Sequence, residues 1–138
     1  MDNVTANSLS AFSSASQLLK AGVPIVFHEI TAKNGKGITL IEGTGDIHLS
    51  PNAVYFVSYS VGVTIPKDYN EATTILSLNN EVLNSSLSSN SNFPPGVSGN
   101  LSGTAIVNTK IGPNILTLVG EFGETVYDNA CINIVRIS

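Results

Sequence analysis

The stretch Gly45–Pro66, GDIHLSPNAVYFVSYSVGVTIP, contains the longest strand-like run of the chain. Its pattern predicts a short strand over Asp46–Ser50, a turn at Pro51–Asn52 and a long strand over Ala53–Ile65. Alternate side chains of a strand point to opposite faces. One face carries Tyr55, Val57, Tyr59, Val61, Val63 and Ile65, and the other carries Val54, Phe56, Ser58, Ser60, Gly62 and Thr64. Both faces are apolar over Val54–Val57, which predicts a cover on each side of the strand.

Short strand-like segments separated by turn signals make up most of the remaining chain. The predicted strands are Leu9–Phe12, Val23–Ile30, Ile38–Ile41, Thr73–Asn79, Glu81–Leu87, Thr104–Thr109, Ile115–Val119 and Ala130–Ile137. One helical turn is expected within Ser13–Ala21, and loops are expected over Asn84–Gly103 and Gly120–Asp128. Eight to ten short strands with almost no helical periodicity predict an all-β fold, a sandwich or barrel around one core.

Length and composition restrict the possible classes of protein. The 138 residues fit one domain, expected over 9–138 after a flexible segment at 1–8. Only 12% of residues are charged and the net charge is −4, with six scattered Lys and Arg. This argues against nucleic acid as a partner. No apolar run reaches the roughly 18 residues of a membrane-spanning helix, so no membrane insertion is expected. A single cysteine, Cys131, excludes an intrachain disulfide.

Several short motifs resemble a known superfamily. Ser50–Phe56 resembles the Pro-Gly-x-Tyr-x-Phe signature that begins the long central strand of C1q/tumour-necrosis-factor-like (C1q/TNF-like) domains. Leu78–Val82 resembles the Asn-Gly hairpin of that family, and Ser102–Val107 resembles its Ser-Gly-x-Ala strand. Asn52 stands where the family prefers Gly, and Asn accepts a left-handed backbone better than other non-glycine residues.

A narrower resemblance concerns the second half of the chain. Gly99–Val107 and the ending Asn133–Ser138 resemble the C-terminal domains of BclA-type collagen-like glycoproteins of bacterial spore surfaces. This resemblance implies a location on the spore surface (exosporium) or elsewhere outside the cell. No collagen-like repeat is present in these 138 residues, so a stalk is inferred only from the resemblance.

The superfamily resemblance implies a two-sheet jelly roll that forms a homotrimer around a threefold axis. It places Val54, Phe56, Ala105, Val107, Ile132 and Ile134 in the core. It places the trimer interface at Tyr55, Val57, Tyr59, Thr104, Ile106, Asn133 and Val135, with Cys131 also toward the axis. Neighbouring subunits would then supply the second cover of the long strand. A loop lying over a central strand is the alternative explanation.

Two functions compete on this basis. The first is a non-enzymatic head domain whose trimerisation aligns the chains of a collagen-like or filamentous surface protein. The second is a recognition module that binds a protein or glycan ligand through loops at one end, and calcium is possible there because loop oxygens are its usual ligands. The candidate ligand residues are Asp68, Asn70, Asn92, Phe93, Glu124 and Asp128.

Catalytic and metal motifs are weak. The two histidines, His28 and His48, lie in predicted strands, and no G-x-S-x-G sequence is present. Cys131 is expected to act as a small buried hydrophobe rather than as a nucleophile. No Cys and His residues cluster at zinc-ligand spacing, and no cofactor is expected.

Overall fold

Eleven β-strands and no helix form the part of the chain that the computed structural model describes, residues 7–65, 71–90 and 97–138. The strands are β1 (Ser8–Ser13), β2 (Gln17–Lys20), β3 (Glu29–Asn34), β4 (Ile38–Leu40), β5 (Ile47–Leu49), β6 (Val54–Thr64), β7 (Ala72–Leu78), β8 (Glu81–Asn90), β9 (Ser98–Asn108), β10 (Ile115–Gly120) and β11 (Glu124–Arg136). Within the described ranges, no helix has the length and hydrophobicity needed to cross a membrane.

The strands form two antiparallel sheets. The six-stranded sheet has the order β3-β1-β11-β6-β9, and β2 pairs with the first part of β11. The five-stranded sheet has the order β4-β5-β10-β7-β8. The predicted all-β class with two sheets is confirmed, and the described residues form eleven strands instead of eight to ten. The long strand β6 is central, because β9 pairs along its whole length and β11 pairs along its other side.

The core lies between the two sheets. Its members come from eight of the eleven described strands and from connecting segments such as the one before β3. They include Leu9, Ile25, Phe27, Ile38, Ile47, Tyr55, Val57, Leu76, Leu118, Tyr127, Ile132 and Ile134. Each fully buried aliphatic or aromatic side chain of this kind contributes roughly 1.5–3 kcal/mol to the free energy of unfolding. Two further buried side chains, Ile75 and Val119, lie outside this cluster.

The predicted assignment of the two faces of β6 is wrong. Tyr55 and Val57 are completely buried in the core of the chain and Tyr59 is 3% exposed, whereas Phe56 is 41% exposed. The face with six apolar residues covers the opposite sheet, because only a continuous apolar row can exclude water along eleven residues of strand. The three buried residues are therefore inaccessible to a neighbouring subunit.

The predicted core residues of β9 and β11 are confirmed. Ala105 and Val107 of β9 are 4% and 1% exposed, and they point into the core. Ile132 and Ile134 of β11 are completely buried. The alternate residues of these two strands therefore point away from the core, on the same side of the sheet as Phe56.

Several predicted segments differ from the observed ones. Ser13–Ala21 contains strand β2 instead of a helical turn, because the backbone of Gln17–Lys20 pairs with the first residues of β11. The predicted strand Val23–Ile30 is regular only from Glu29, with an isolated bridge between Phe27 and Thr44 before it. Apolar residues of this segment, among them Phe27, pack in the core although the segment is irregular.

The two predicted loops are largely strand. β8 continues to Asn90 and β9 begins at Ser98, so both ends of the predicted loop Asn84–Gly103 are strand, and its residues 91–96 lie outside the described part. β11 begins at Glu124, within the predicted loop Gly120–Asp128. Serine and asparagine composition predicts loops, but their backbones pair here because neighbouring strands offer donors and acceptors.

The asparagine turns agree with the prediction. Asn52 has a φ of 54°, the left-handed conformation expected in place of glycine. Asn79 and Asn80, with φ of 51° and 67°, form the tight turn between β7 and β8. Residues 1–6 of the predicted flexible segment lie outside the described ranges, and Ser8 belongs to β1.

Candidate functional site

An exposed apolar row crosses the outer face of the six-stranded sheet. Val135 of β11 lies opposite Phe56 of β6, and Phe56 lies opposite Ile106 of β9. Their exposed fractions are 38%, 41% and 53%. Directly opposed residues on antiparallel strands have side chains in contact range. The three side chains therefore form one continuous apolar patch, from the middle of the sheet to its edge.

Two polar rungs continue this face along the same three strands. Asn133, Ser58 and Thr104 form the next rung, and Cys131, Ser60 and Ser102 form the one after it. Ser10 Oγ of β1 donates a hydrogen bond to Asn133 Oδ1 at 2.5 Å. β6 and β9 contain no charged residue at all. The face is weakly charged, which lowers the cost of removing it from water.

Four of the seven predicted interface residues lie on this face. Thr104, Ile106, Asn133 and Val135 are exposed on it, whereas Tyr55, Val57 and Tyr59 lie in the core as described above. The prediction missed Phe56, the central member of the apolar row. The available signal was the number of apolar residues on each face of β6, six against two, which favours the fuller face as the core.

A polar depression of about 420 Å³ lies further along the same face. β11 has a register irregularity between Asp128 and Cys131, where Asn129 has a φ of 45°. Asp128 lies over Gly62 of β6 so closely that a Cβ atom on Gly62 would overlap its carboxylate. The depression is lined by Ser60, Gly62, Ser98, Gly99, Asn100, Asp128 and Asn129.

The predicted ligand and calcium residues are only partly described. Asp68, Asn70, Asn92 and Phe93 lie outside the described ranges. Glu124 and Asp128 belong to β11, where Glu124 lies opposite Lys20 of β2. Within the described ranges, no three His, Cys, Asp or Glu side chains are grouped so that they could share a metal ion. The polar depression thus offers one carboxylate with neutral oxygens.

One serine and one histidine are in contact. Ser13 Oγ lies 2.5 Å from His28 Nδ1, in a hydrogen bond that joins β1 to the segment before β3. Ser13 is 1% exposed, so its hydroxyl is not open to a substrate. A nucleophile of this type needs access and a third group that orients the base. We therefore interpret this contact as a structural hydrogen bond.

The buried tyrosines also have structural roles. Tyr59 Oη donates to Ser86 O at 2.7 Å and lies 3.0 Å from Thr74 Oγ1, linking β6 to the opposite sheet. Burial raises the pKa of Tyr59, and its hydrogen bond with Thr74 lowers the pKa in part. Burial likewise raises the pKa of Tyr127, partly offset by a hydrogen bond with Thr125. Both hydroxyls therefore stay protonated and neutral at physiological pH.

Comparisons with known proteins identify the fold. A scan against protein-family models and a search of curated proteins both find no match to this chain. Among solved structures, the globular domain of zebrafish complement 1qA protein superposes with a TM-score of 0.74 at 14% identity, covering 96% of this chain and 98% of that one. Eiger TNF from S. frugiperda gives 0.72 at 14% identity, covering 96% and 94%.

A third similar structure is murine APRIL at pH 5.0, with a TM-score of 0.71 at 11% identity over 95% of this chain and 98% of that one. These structures cover nearly the whole length of the chain with the same two-sheet arrangement. At such low identity, the similarity concerns the fold. The chain has the two-sheet jelly-roll fold of C1q and TNF-like domains.

Proposed function

We propose that this protein is a non-enzymatic trimerisation head domain. Three copies associate around a threefold axis through the outer face of the six-stranded sheet. The observation that carries this proposal is the apolar row of Val135, Phe56 and Ile106, exposed on a face with hardly any charge. Exposed apolar side chains that are contiguous mark interaction sites more often than single ones do.

The position of the row suits a closed ring. It begins near the middle of the sheet at Val135 and ends on the edge strand β9 at Ile106. In a ring each copy presents one surface to one neighbour and a different surface to the other. The β9 edge of one copy can therefore pack on the middle of the next sheet. The polar rungs add to the area of the contact. A stable interface buries roughly 800 Å² of surface on each partner.

The proposed setting is a collagen-like or filamentous protein on the surface of a bacterial spore. The support comes from the sequence resemblance of Gly99–Val107 and Asn133–Ser138, and from the position of β1. Arg136 N donates to Asn7 O at 3.0 Å, so the chain enters the sheet beside the apolar row. A stalk joined ahead of Asn7 would therefore lie close to the stalks of the two neighbouring copies, beside the proposed contact. The trimer would hold the three stalk chains in register.

Light scattering coupled to size-exclusion chromatography tests the trimer. The wild-type protein should elute with the mass of three 14.4-kDa chains at micromolar concentration. Phe56→Asp should give a folded monomer, because a carboxylate buried without a partner in the contact disfavours association. Circular dichroism and thermal melting check that the variant folds.

The matched control is Ile41→Asp. Ile41 is 69% exposed and follows β4, the edge strand of the other sheet at the side away from β9. This variant should remain trimeric. A wild-type monomer would overturn the proposal, as would a Phe56→Asp protein that keeps the trimer mass.

A further inference from the structure

A second surface feature lies on the outer face of the five-stranded sheet, away from the proposed trimer face. It is a groove of about 500 Å³, within the roughly 300–1,000 Å³ of ligand pockets. Its floor is formed by outward residues of β7 and β10, and its walls by the turn after β7 and the segment before β3. The lining residues are Gly22, Pro24, Asp46, Ser77, Asn79, Asn80, Val82, Ile115, Thr117 and Val119.

Ser77 places a hydroxyl on the floor of this groove. It is 6% exposed and lines the groove. Its hydroxyl has no protein partner within the described ranges, but it is not fully enclosed, so water reaches it. Most other buried polar side chains are bonded within the protein: Ser86 Oγ donates to Leu83 O at 2.6 Å, and Asn114 Nδ2 donates to Lys110 O at 2.8 Å. Thr73 Oγ1, which does not line the groove, is the fully enclosed side-chain atom of the described ranges that has no partner. A hydroxyl that faces the groove without a protein partner can bond a ligand in place of water.

One wall of the groove is held rigidly. Asn79 Oδ1 accepts from Ile115 N at 2.8 Å, and Asn79 Nδ2 donates to Pro113 O at 3.1 Å. These bonds tie the turn to β10 with both of its asparagines at positive φ. The side chain of Asn80 has no such bond within the described ranges. Its amide therefore lies at the rim of the groove without a hydrogen bond to the described part of the protein, on a backbone that the bonds of Asn79 hold in place.

The other wall is equally constrained. Gly22 N donates to Gly120 O at 2.9 Å and Ile25 N donates to Leu118 O at 2.8 Å, so this segment lies along β10. Asp46, which is exposed, follows Gly45, a residue where a Cβ atom would meet Pro24 at 2.8 Å. Both walls are therefore in place before a ligand arrives, which lowers the entropic cost of binding.

The chemistry of the lining selects the ligand class. The described lining residues include one carboxylate, on Asp46, and no positively charged side chain, so an anionic ligand is disfavoured. Ser77, Thr117 and Asn80 offer neutral donors and acceptors. Val82, Ile115 and Val119 offer an aliphatic surface. A ligand that fits both has many hydroxyls on one side and C–H groups on the other.

We propose that this groove binds a neutral glycan. Sugar hydroxyls donate to the Asp46 carboxylate and accept from Asn80, and they bond the Ser77 hydroxyl in place of water. The C–H face of the ring packs on the aliphatic residues of the floor. The site is separate from the predicted ligand loops, and it lies on the sheet opposite the trimer face. It therefore functions in a monomer or a trimer alike, and failure of one proposal leaves the other standing.

The test is titration of the full chain with neutral hexose and N-acetylhexosamine oligosaccharides at millimolar concentration, followed by calorimetry and saturation-transfer NMR. Ser77→Ala and Asn80→Gly should each weaken binding by about 2- to 10-fold, the value of one or two hydrogen bonds. Glycine keeps the positive φ of Asn80 and removes only the amide. Asp46→Asn should weaken binding by at least as much, because it removes a charged acceptor.

Matched controls come from the other face. Asn129→Gly repeats the change at an asparagine of positive φ, and Asp128→Asn repeats the charge removal. Both should leave glycan affinity unchanged. The proposal is overturned if no neutral oligosaccharide binds, if only these control variants weaken binding, or if the groove binds the polyamine spermidine and no sugar. The last outcome would show that the Asp46 carboxylate selects a cationic ligand.

Discussion

The two faces of β6 carry rows of side chains that have different structural roles. The inner row, Tyr55, Val57, Tyr59, Val61 and Val63, is at most 3% exposed and holds the two sheets together. The outer row begins with Val54 and Phe56 and continues as Ser58, Ser60, Gly62 and Thr64. An inner position is fully buried by the chain's own fold, whereas Phe56 is 41% exposed. Apolar character at a single strand position therefore does not distinguish a core residue from an interface residue.

The difference lies in how far the apolar pattern continues. A core face needs an apolar residue at every second position, because one polar side chain there leaves a buried group without water. An interface face tolerates polar residues, since contacts between proteins are polar at the rim and keep bridging waters. The outer row has this second composition.

The largest expected effect comes from a charge on the inner row. Tyr55→Asp should unfold the protein rather than dissociate a trimer, which corrects the outcome implied by the family resemblance. It places a carboxylate at a completely buried position and removes the hydroxyl that donates to Gly37 O at 3.2 Å. The cost should exceed about 4 kcal/mol, against a total stability of about 5–15 kcal/mol.

Thermal melting and near-ultraviolet circular dichroism measure this effect. The same charge on the outer row, in Phe56→Asp, should leave the melting of the monomer nearly intact. A folded, monomeric Tyr55→Asp protein would reverse the assignment of the two rows.

A smaller effect is expected from glycines facing each row. Gly103 of β9 lies opposite Tyr59, and a Cβ atom there would overlap Ser86 O and lie 2.7 Å from the Tyr59 ring. Gly103→Ala should therefore lower the free energy of unfolding by about 1–3 kcal/mol. Gly62→Ala, on the outer row, meets mainly the Asp128 carboxylate, a side chain that can rotate away.

Urea denaturation of the two alanine variants measures the loss in the free energy of unfolding for each. Gly62→Ala should be clearly the less destabilised of the pair. Equal losses would mean that the outer row is as tightly packed as the core, contrary to the exposed fractions of its side chains.

The smallest effect concerns alkaline pH. Tyr59 and Tyr127 have pKa values raised by burial above the ordinary tyrosine value of about 10. Between the unfolded and folded pKa values the folded chain holds more protons, so rising pH favours unfolding. This stabilising contribution is complete below about pH 10 and is lost as the pH rises through the folded pKa values.

Chemical denaturation at several pH values above neutrality should show this decline. Tyr59→Phe should lower stability at neutral pH by about 0.5–1.5 kcal/mol, through loss of the bond to Ser86 O. It should also make the alkaline decline shallower. A Tyr59→Phe protein with an unchanged alkaline decline would show that Tyr59 contributes nothing to it.

Much of the fold was predictable from local pattern. Period-two alternation identified β6 and β7, and turn residues marked the start of β10, because both signals depend on neighbouring residues alone. The conformations of Asn52, Asn79 and Asn80 followed from the same local chemistry. The core residues of β9 and β11 followed from the family resemblance.

Other features depended on partners far along the chain. Gln17–Lys20 is a strand because Glu124–Tyr127 lies beside it. The polar segments of β8 and β9 are strands because β7 and β6 supply their hydrogen bonds. The apolar row exists because β11, β6 and β9 come together in one register. The groove at Ser77 likewise combines residues from four separate segments.

For this protein, the order of residues was enough to predict the all-β class, the central long strand and the chemistry of a weakly charged surface. These depend on composition and short-range periodicity. The pairing of the two sheets decided which row of β6 became core and which stayed at the surface. A strand has two geometrically equivalent faces, and they become different only when a second sheet covers one of them.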